Sequence, residues 1–174
     1  MEGNHQIARC DREGADVQRM THFMGTFTGK LDRKGRVSVP ASFRAALERM
    51  GCPDLVLRLS HTDPCIEAWP LTTFEKMASG LDGLEVFSEA HDDLALSLFA
   101  DAYPMRPDGD GRVMLAGEVV AHAGIEEAIS FVGRGPSFQI WEPGAAARRV
   151  AEARQRARER GLTVPPVANL TGRA

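Results

Sequence analysis

The chemistry-bearing residues of this chain crowd into one short stretch. Lys30, Asp32, Arg33, Lys34 and Arg36 surround Gly35, and Arg44 follows a little further on. Guanidinium and ammonium groups projecting from a tight turn can approach phosphates and displace their condensed counterions. Arginine is also the side chain best shaped for the O6/N7 edge of guanine. A plainer reading uses the same residues as a solvated turn in which Asp32 pairs with Arg36. The two are compatible, because Asp32 can orient the turn or Arg36 while the other cations face a polyanion.

The stretch occurs twice. Asp32-Arg33-Lys34-Gly35-Arg36-Val37-Ser38-Val39 is answered by Asp108-Gly109-Asp110-Gly111-Arg112-Val113-Met114-Leu115, 76 residues later. Further on, Asp54-Leu55-Val56 corresponds to Glu127-Ala128-Ile129, and Ile66-Glu67-Ala68-Trp69 to Phe138-Gln139-Ile140-Trp141. The chain has 2 tryptophans, and they fall at equivalent places, so the agreement marks an internal repeat. Arg106 stands for Lys30, and Arg112 for Arg36. By contrast, Arg33, Lys34, Pro40 and Arg44 become Gly109, Asp110, Ala116 and Val120. The first copy therefore holds most of the attraction for anions. Asp32, Gly35, Asp108 and Gly111 shape the two turns.

Other chemistries fit poorly. Asp108-Gly109-Asp110 opens like a calcium loop, but the sixth position, which needs glycine, is Val113. His61, Asp63 and Cys65 are ligand types with no second cluster to complete a site, and Gly133-Arg134-Gly135 lacks phosphate-loop spacing. No Ser/His/Asp or Cys/His arrangement has a supporting context. The chain reads as no enzyme, with no metal and no cofactor.

These residues must be carried by ordered elements. With 43% hydrophobic residues in 174, the chain can bury a core, which excludes disorder as its main state. No run approaches the roughly 20 apolar residues of a membrane span. The 3 cysteines, without a CxxC pair, suit a reducing cytosol. A net charge of −3 conceals strong local fields. Residues 24–50 and 145–174 are basic, whereas residues 51–105 hold only Arg58 and Lys76 against a run of carboxylates.

Alternation and turn signals predict strands at Phe27–Leu31, Val37–Val39, Leu55–Leu59 and Cys65–Trp69 in the first copy. In the second they predict strands at Arg112–Leu115, Ala128–Val132 and Phe138–Trp141. Pro40 opens a helix with Gly51 just past its end, and a short helix spans Glu118–Ala123. Further helices are expected at Leu71–Ala78, Ser88–Tyr103 (with Ser88 as its N-cap) and Ala145–Arg160. The Arg-rich last helix, with Arg148, Arg149, Arg154, Arg156, Arg158 and Arg160, reads as a solvated face in preference to a further sequence-independent contact surface, and the Pro165-Pro166 tail as loose. Residues 1–23 read as a disordered extension, or as an upstream start read through to Met20 or Met24.

The paired Asp-x-x-x-Arg turns, the run Val37-Ser38-Val39-Pro40-Ala41-Ser42-Phe43-Arg44 and the ending Phe138-Gln139-Ile140-Trp141-Glu142 resemble the MraZ family. That family belongs to the AbrB-like (SpoVT-AbrB) group of DNA-binding regulators. The resemblance runs from about Thr26 to Trp141. It implies an α+β, mainly β fold of two tandem swapped-hairpin repeats forming a double-split barrel, at residues 24–72 and 104–144. Linking helices would occupy 73–103, and an Arg-rich helix and tail 145–174. It further implies a cytoplasmic, nucleoid-associated transcriptional regulator that binds double-stranded DNA repeats upstream of its own operon as a ring-like homo-oligomer. Lys30, Arg33, Lys34, Arg36, Arg44, Arg106 and Arg112 would then be its DNA contacts. The alternative within the same fold is an antitoxin-like module that holds a partner protein.

Overall fold

Element order follows the repeat. In the computed structural model, which describes residues 21–165, the first copy supplies β1 (Thr26–Lys30), β2 (Arg36–Ser38), α1 (Ala41–Arg49), β3 (Leu55–Leu59) and β4 (Ile66–Pro70). The second supplies β5 (Ala102–Met105), β6 (Arg112–Met114), α4 (Gly117–His122), β7 (Ala128–Gly133) and β8 (Phe138–Trp141). Between them lie α2 (Leu71–Ala78), a 3-10 turn at Ser79–Gly83 and α3 (Glu89–Phe99). The first compact unit ends at Pro143, and the residues from Gly144 onward form a second. That second unit is built on the long helix α5 (Pro143–Glu159), where Glu152 and Arg156 pair at 3.4 Å.

Neither copy contains a complete sheet. The larger sheet runs β1-β7-β8-β4-β3-β5, and β2 and β6 form a separate ribbon. Each copy keeps its own hairpin, β3–β4 or β7–β8, and lends its first strand to the other. Thus β1 pairs with β7, β5 pairs with β3, and the two hairpins meet at β4–β8, all antiparallel. The chain is α+β and dominated by sheet.

Period-2 alternation sends Leu55, Leu57, Ile66, Ala68, Ile129, Phe131, Phe138 and Ile140 to one face of the large sheet. That face packs on Val37, Val39, Val113 and Leu115 of the ribbon and on Phe43, Leu47 and Val119 of α1 and α4. Phe43 is the hub, with the rings of Phe23, Phe27, Phe131 and Phe138 between 5.0 and 6.5 Å from its own. The opposite face carries a buried polar group that composition does not reveal. Glu67 receives Trp69 Nε1 at 3.2 Å and lies 3.7 Å from both Arg58 and Arg134. In the second copy, Gln139 receives Trp141 Nε1 in the same manner at 3.1 Å.

Two expectations are corrected. The helix expected to reach Tyr103 ends at Phe99, and Ala102–Met105 is strand β5, in register with Arg58 through Leu55. Pro104 disfavours helical backbone at Tyr103, and the open edge of β3 offers a ladder. The 76-residue offset would also have mapped β1 onto this segment. Second, Phe23, assigned to the disordered extension, is fully buried and pairs with Gly135 through two backbone hydrogen bonds. Residues 1–20 and Pro166 of the tail lie outside the described residues. Ser88 does cap α3, accepting from His91 N at 3.1 Å.

Candidate nucleic-acid interface

Each turn is built around its aspartate. Asp32 Oδ1 accepts from the backbone N–H of Lys34 at 2.8 Å and of Arg36 at 2.9 Å. Asp108 Oδ1 accepts from Asp110 and Arg112 N–H, each at 2.9 Å. An aspartate that receives the N–H two and four residues on holds the chain in a tight reversal, which explains the fixed spacing to arginine. Gly35 and Gly111 sit at φ 77° and 74°, in the left-handed region where a side chain is strained. These N–H donors hold both carboxyls below the usual aspartate range. The Arg36 N–H dominates at Asp32 and the Arg112 N–H at Asp108.

The turns interlock. Val39 N–H donates to Gly111 O at 2.9 Å, and Leu115 N–H to Gly35 O at 2.8 Å. Between them the β2–β6 ribbon pairs Arg36 with Met114, Val37 with Val113 and Ser38 with Arg112. Both valines are buried, so Arg36, Ser38, Arg112 and Met114 occupy the outward face. Arg36 and Arg112 stand diagonally on that face, with roughly 7–8 Å between their positions.

The cations are held differently. Arg36 donates from Nε to Asp32 Oδ2 at 2.8 Å, and its Nη2 forms an ion pair with the same oxygen at 2.8 Å, which fixes the plane of its guanidinium and leaves the Nη1/Nη2 end for other acceptors. Arg112 Nη2 pairs at 3.0 Å with Asp110, the residue that replaces Lys34. Arg33 and Lys34 are exposed at the tip of the first turn. Arg44, from α1, donates from Nε to Val39 O at 3.2 Å and lies over Gly111. Five of the expected cations, Arg33, Lys34, Arg36, Arg44 and Arg112, thus gather around the ribbon and its turns together with the four residues that shape them.

Lys30 and Arg106 sit elsewhere. Arg106 makes two hydrogen bonds to Asp54, 2.6 and 2.7 Å, across 52 residues of sequence, and Lys30 lies 3.6 Å from Glu127. Asp54 and Glu127 are equivalent in the two copies, so these pairs join the copies at related places. The Arg106 guanidinium holds the Asp54 carboxyl below its usual range. Both cations stay largely exposed. Ser38 and Met114 complete the outward face without being among the expected contacts, although the alternation Arg-Val-Ser and Arg-Val-Met puts each on the same face as its arginine.

Among the described residues, no group of three or more His, Cys, Asp or Glu side chains could hold a metal, and no helix is long and apolar enough to cross a membrane.

Residues 22–95 and 98–157 match the protein family described as "MraZ protein, putative antitoxin-like". Named relatives agree with it. The chain is 48% identical over 146 residues to the transcriptional regulator MraZ of Gluconacetobacter diazotrophicus, covering 82% of this chain and 92% of that one. It is 47% identical over 163 residues to the transcriptional regulator MraZ of Gluconobacter oxydans, covering 89% and 99%. That of Pelagibacter ubique is 38% identical over 135 residues, covering 78% and 87%.

Proposed function

Because the chain belongs to the MraZ family of transcriptional regulators, we propose that it regulates transcription by laying the β2–β6 ribbon and its two turns on double-stranded DNA. The observation that carries this reading is the pair of aspartate-anchored turns. They close the two ends of one ribbon and present Arg36 and Arg112 on the same outward face. The major groove admits a two-stranded ribbon. A separation of 7–8 Å spans about two base-pair steps at 3.4 Å each.

Arg36 is the base reader. Bidentate recognition of guanine needs a guanidinium of fixed plane, and Asp32 fixes it while leaving one edge available. Arg33 and Lys34, without such a brace, neutralise phosphates, and Arg44 adds charge beside the second turn. Arg112, held by Asp110, contributes less. Lys30 and Arg106, paired with Glu127 and Asp54, serve to join the two copies.

Each turn gives few contacts, so occupancy is gained by binding several DNA repeats at once through a homo-oligomer. The DNA is the region upstream of the chain's own operon, and the protein acts at the nucleoid. Leu94, Leu96 and Phe99 leave α3 with exposed apolar side chains on more than one side, which a further protein chain would cover. Light scattering at micromolar concentration is expected to give a particle larger than a dimer, and a stable monomer would contradict the assembly. Should that surface instead hold a different protein, as in an antitoxin, a stoichiometric partner would co-purify without DNA.

Footprinting on the upstream region at two salt concentrations tests the reading. Protection of spaced repeats that weakens with salt is expected, and no protection at either concentration contradicts it.

A further inference from the structure

The outward face of the ribbon holds four residues, and one of them does not match the others. Arg36, Ser38 and Arg112 are polar, whereas Met114 is apolar and 60% exposed. A single exposed apolar side chain is ordinary in itself. Met114 is distinguished by its place. It lies directly across from Arg36, at a Cβ separation of about 5 Å. It shares a face with both arginines, and its equivalent in the first copy is Ser38. The two strands present Arg-Val-Ser and Arg-Val-Met, so the quasi-symmetric face is broken at this one position.

In the major groove the apolar group offered by an A·T pair is the thymine 5-methyl. A thioether on an unbranched, polarizable stem adapts to such a small apolar target, and serine does not. We propose that Met114 is a specificity-determining residue that contacts the 5-methyl group of a thymine neighbouring the guanine engaged by Arg36. The inference rests on the DNA-binding reading above and adds the identity of a base. It also makes the recognised element asymmetric. One arginine has a methyl contact at its side, and the other has the Ser38 hydroxyl, which bonds to either kind of edge.

Uracil removes the 5-methyl and leaves the Watson–Crick edge intact. The full chain is titrated against a duplex of its own upstream region, prepared with either dTTP or dUTP. Wild-type protein is expected to bind the uracil duplex about fourfold more weakly for each methyl lost from a subunit's contact. Met114→Ser should bind both duplexes alike, with its salt dependence unchanged because no charge is altered. Met114→Leu should keep the preference for thymine. Equal binding of the two duplexes by the wild type overturns the assignment, and so does a preference that survives in Met114→Ser. Failure of the wild type to bind either duplex would instead remove the DNA reading itself, a result distinct from both.

Discussion

Gly111→Ala separates the two reasons for glycine in the second turn. At φ 74°, alanine adopts a left-handed backbone costing about 1–2 kcal/mol, of which roughly 0.4–1 kcal/mol returns through the stiffer unfolded chain. That leaves about 1 kcal/mol. The new Cβ would also fall on Cδ of Arg44, with Nε at 2.6 Å. Arg44 must therefore move and give up its hydrogen bond to Val39 O, for about 1 kcal/mol more. Gly51 is the internal control, because it has φ 63° and nothing lies within 4 Å of its would-be Cβ. At constant protein concentration, thermal unfolding should fall by roughly 4–8 °C for Gly111→Ala and by half as much for Gly51→Ala. Combining Gly111→Ala with Arg44→Ala should be less damaging than the two effects summed, by about 1 kcal/mol. If Gly111→Ala proves no worse than Gly51→Ala, or if the double variant is additive, Arg44 does not lie over the second turn as described.

Three further outcomes follow from the same contacts. Phe43→Ala, which empties the centre of the phenylalanine cluster, should destabilise by about 3–5 kcal/mol in chemical denaturation. Burial pushes the Cys65 thiol up to about 12, so a maleimide at pH 8 should leave it unmodified in the folded chain and label it in denaturant, as read by peptide mass spectrometry. The folded thiol keeps its proton while the unfolded one loses it, so this group also lowers stability as pH rises from about 9 towards 12. Asp32 and Asp108 are held below 3.8, so their stabilisation is complete above that pH and is lost as pH falls through their folded values. Replacing both with Asn should flatten the acid-unfolding curve followed by circular dichroism, and an unchanged acid limb would contradict it.

Local patterns carried much of this architecture. Leu55–Leu59, Leu71–Ala78 and Phe138–Trp141 have the bounds that alternation and turn residues predict. The aspartate turns were equally legible, because an aspartate two and four residues before the N–H groups it receives is a local signal. What escaped was non-local. β5 is a strand because β3 presents an open edge from the other copy, and the Arg106–Asp54 pair joins residues 52 apart. Phe23 precedes every periodic segment, and only the space beside Phe43 and Phe138 gives it a place in the core. Burial of Arg58 and Glu67 likewise depends on their mutual pairing across β3 and β4, not on either residue's preference.

The most direct measurement is a titration of Arg36→Ala against the upstream duplex and a scrambled duplex of equal length, each at two salt concentrations. With Arg36 braced by Asp32 and reading a guanine edge, affinity for the upstream duplex should fall about 5- to 150-fold, with the scrambled duplex little affected. Unchanged affinity for the upstream duplex, from a variant that remains folded and assembled, would contradict the assignment of the ribbon as the DNA-reading surface.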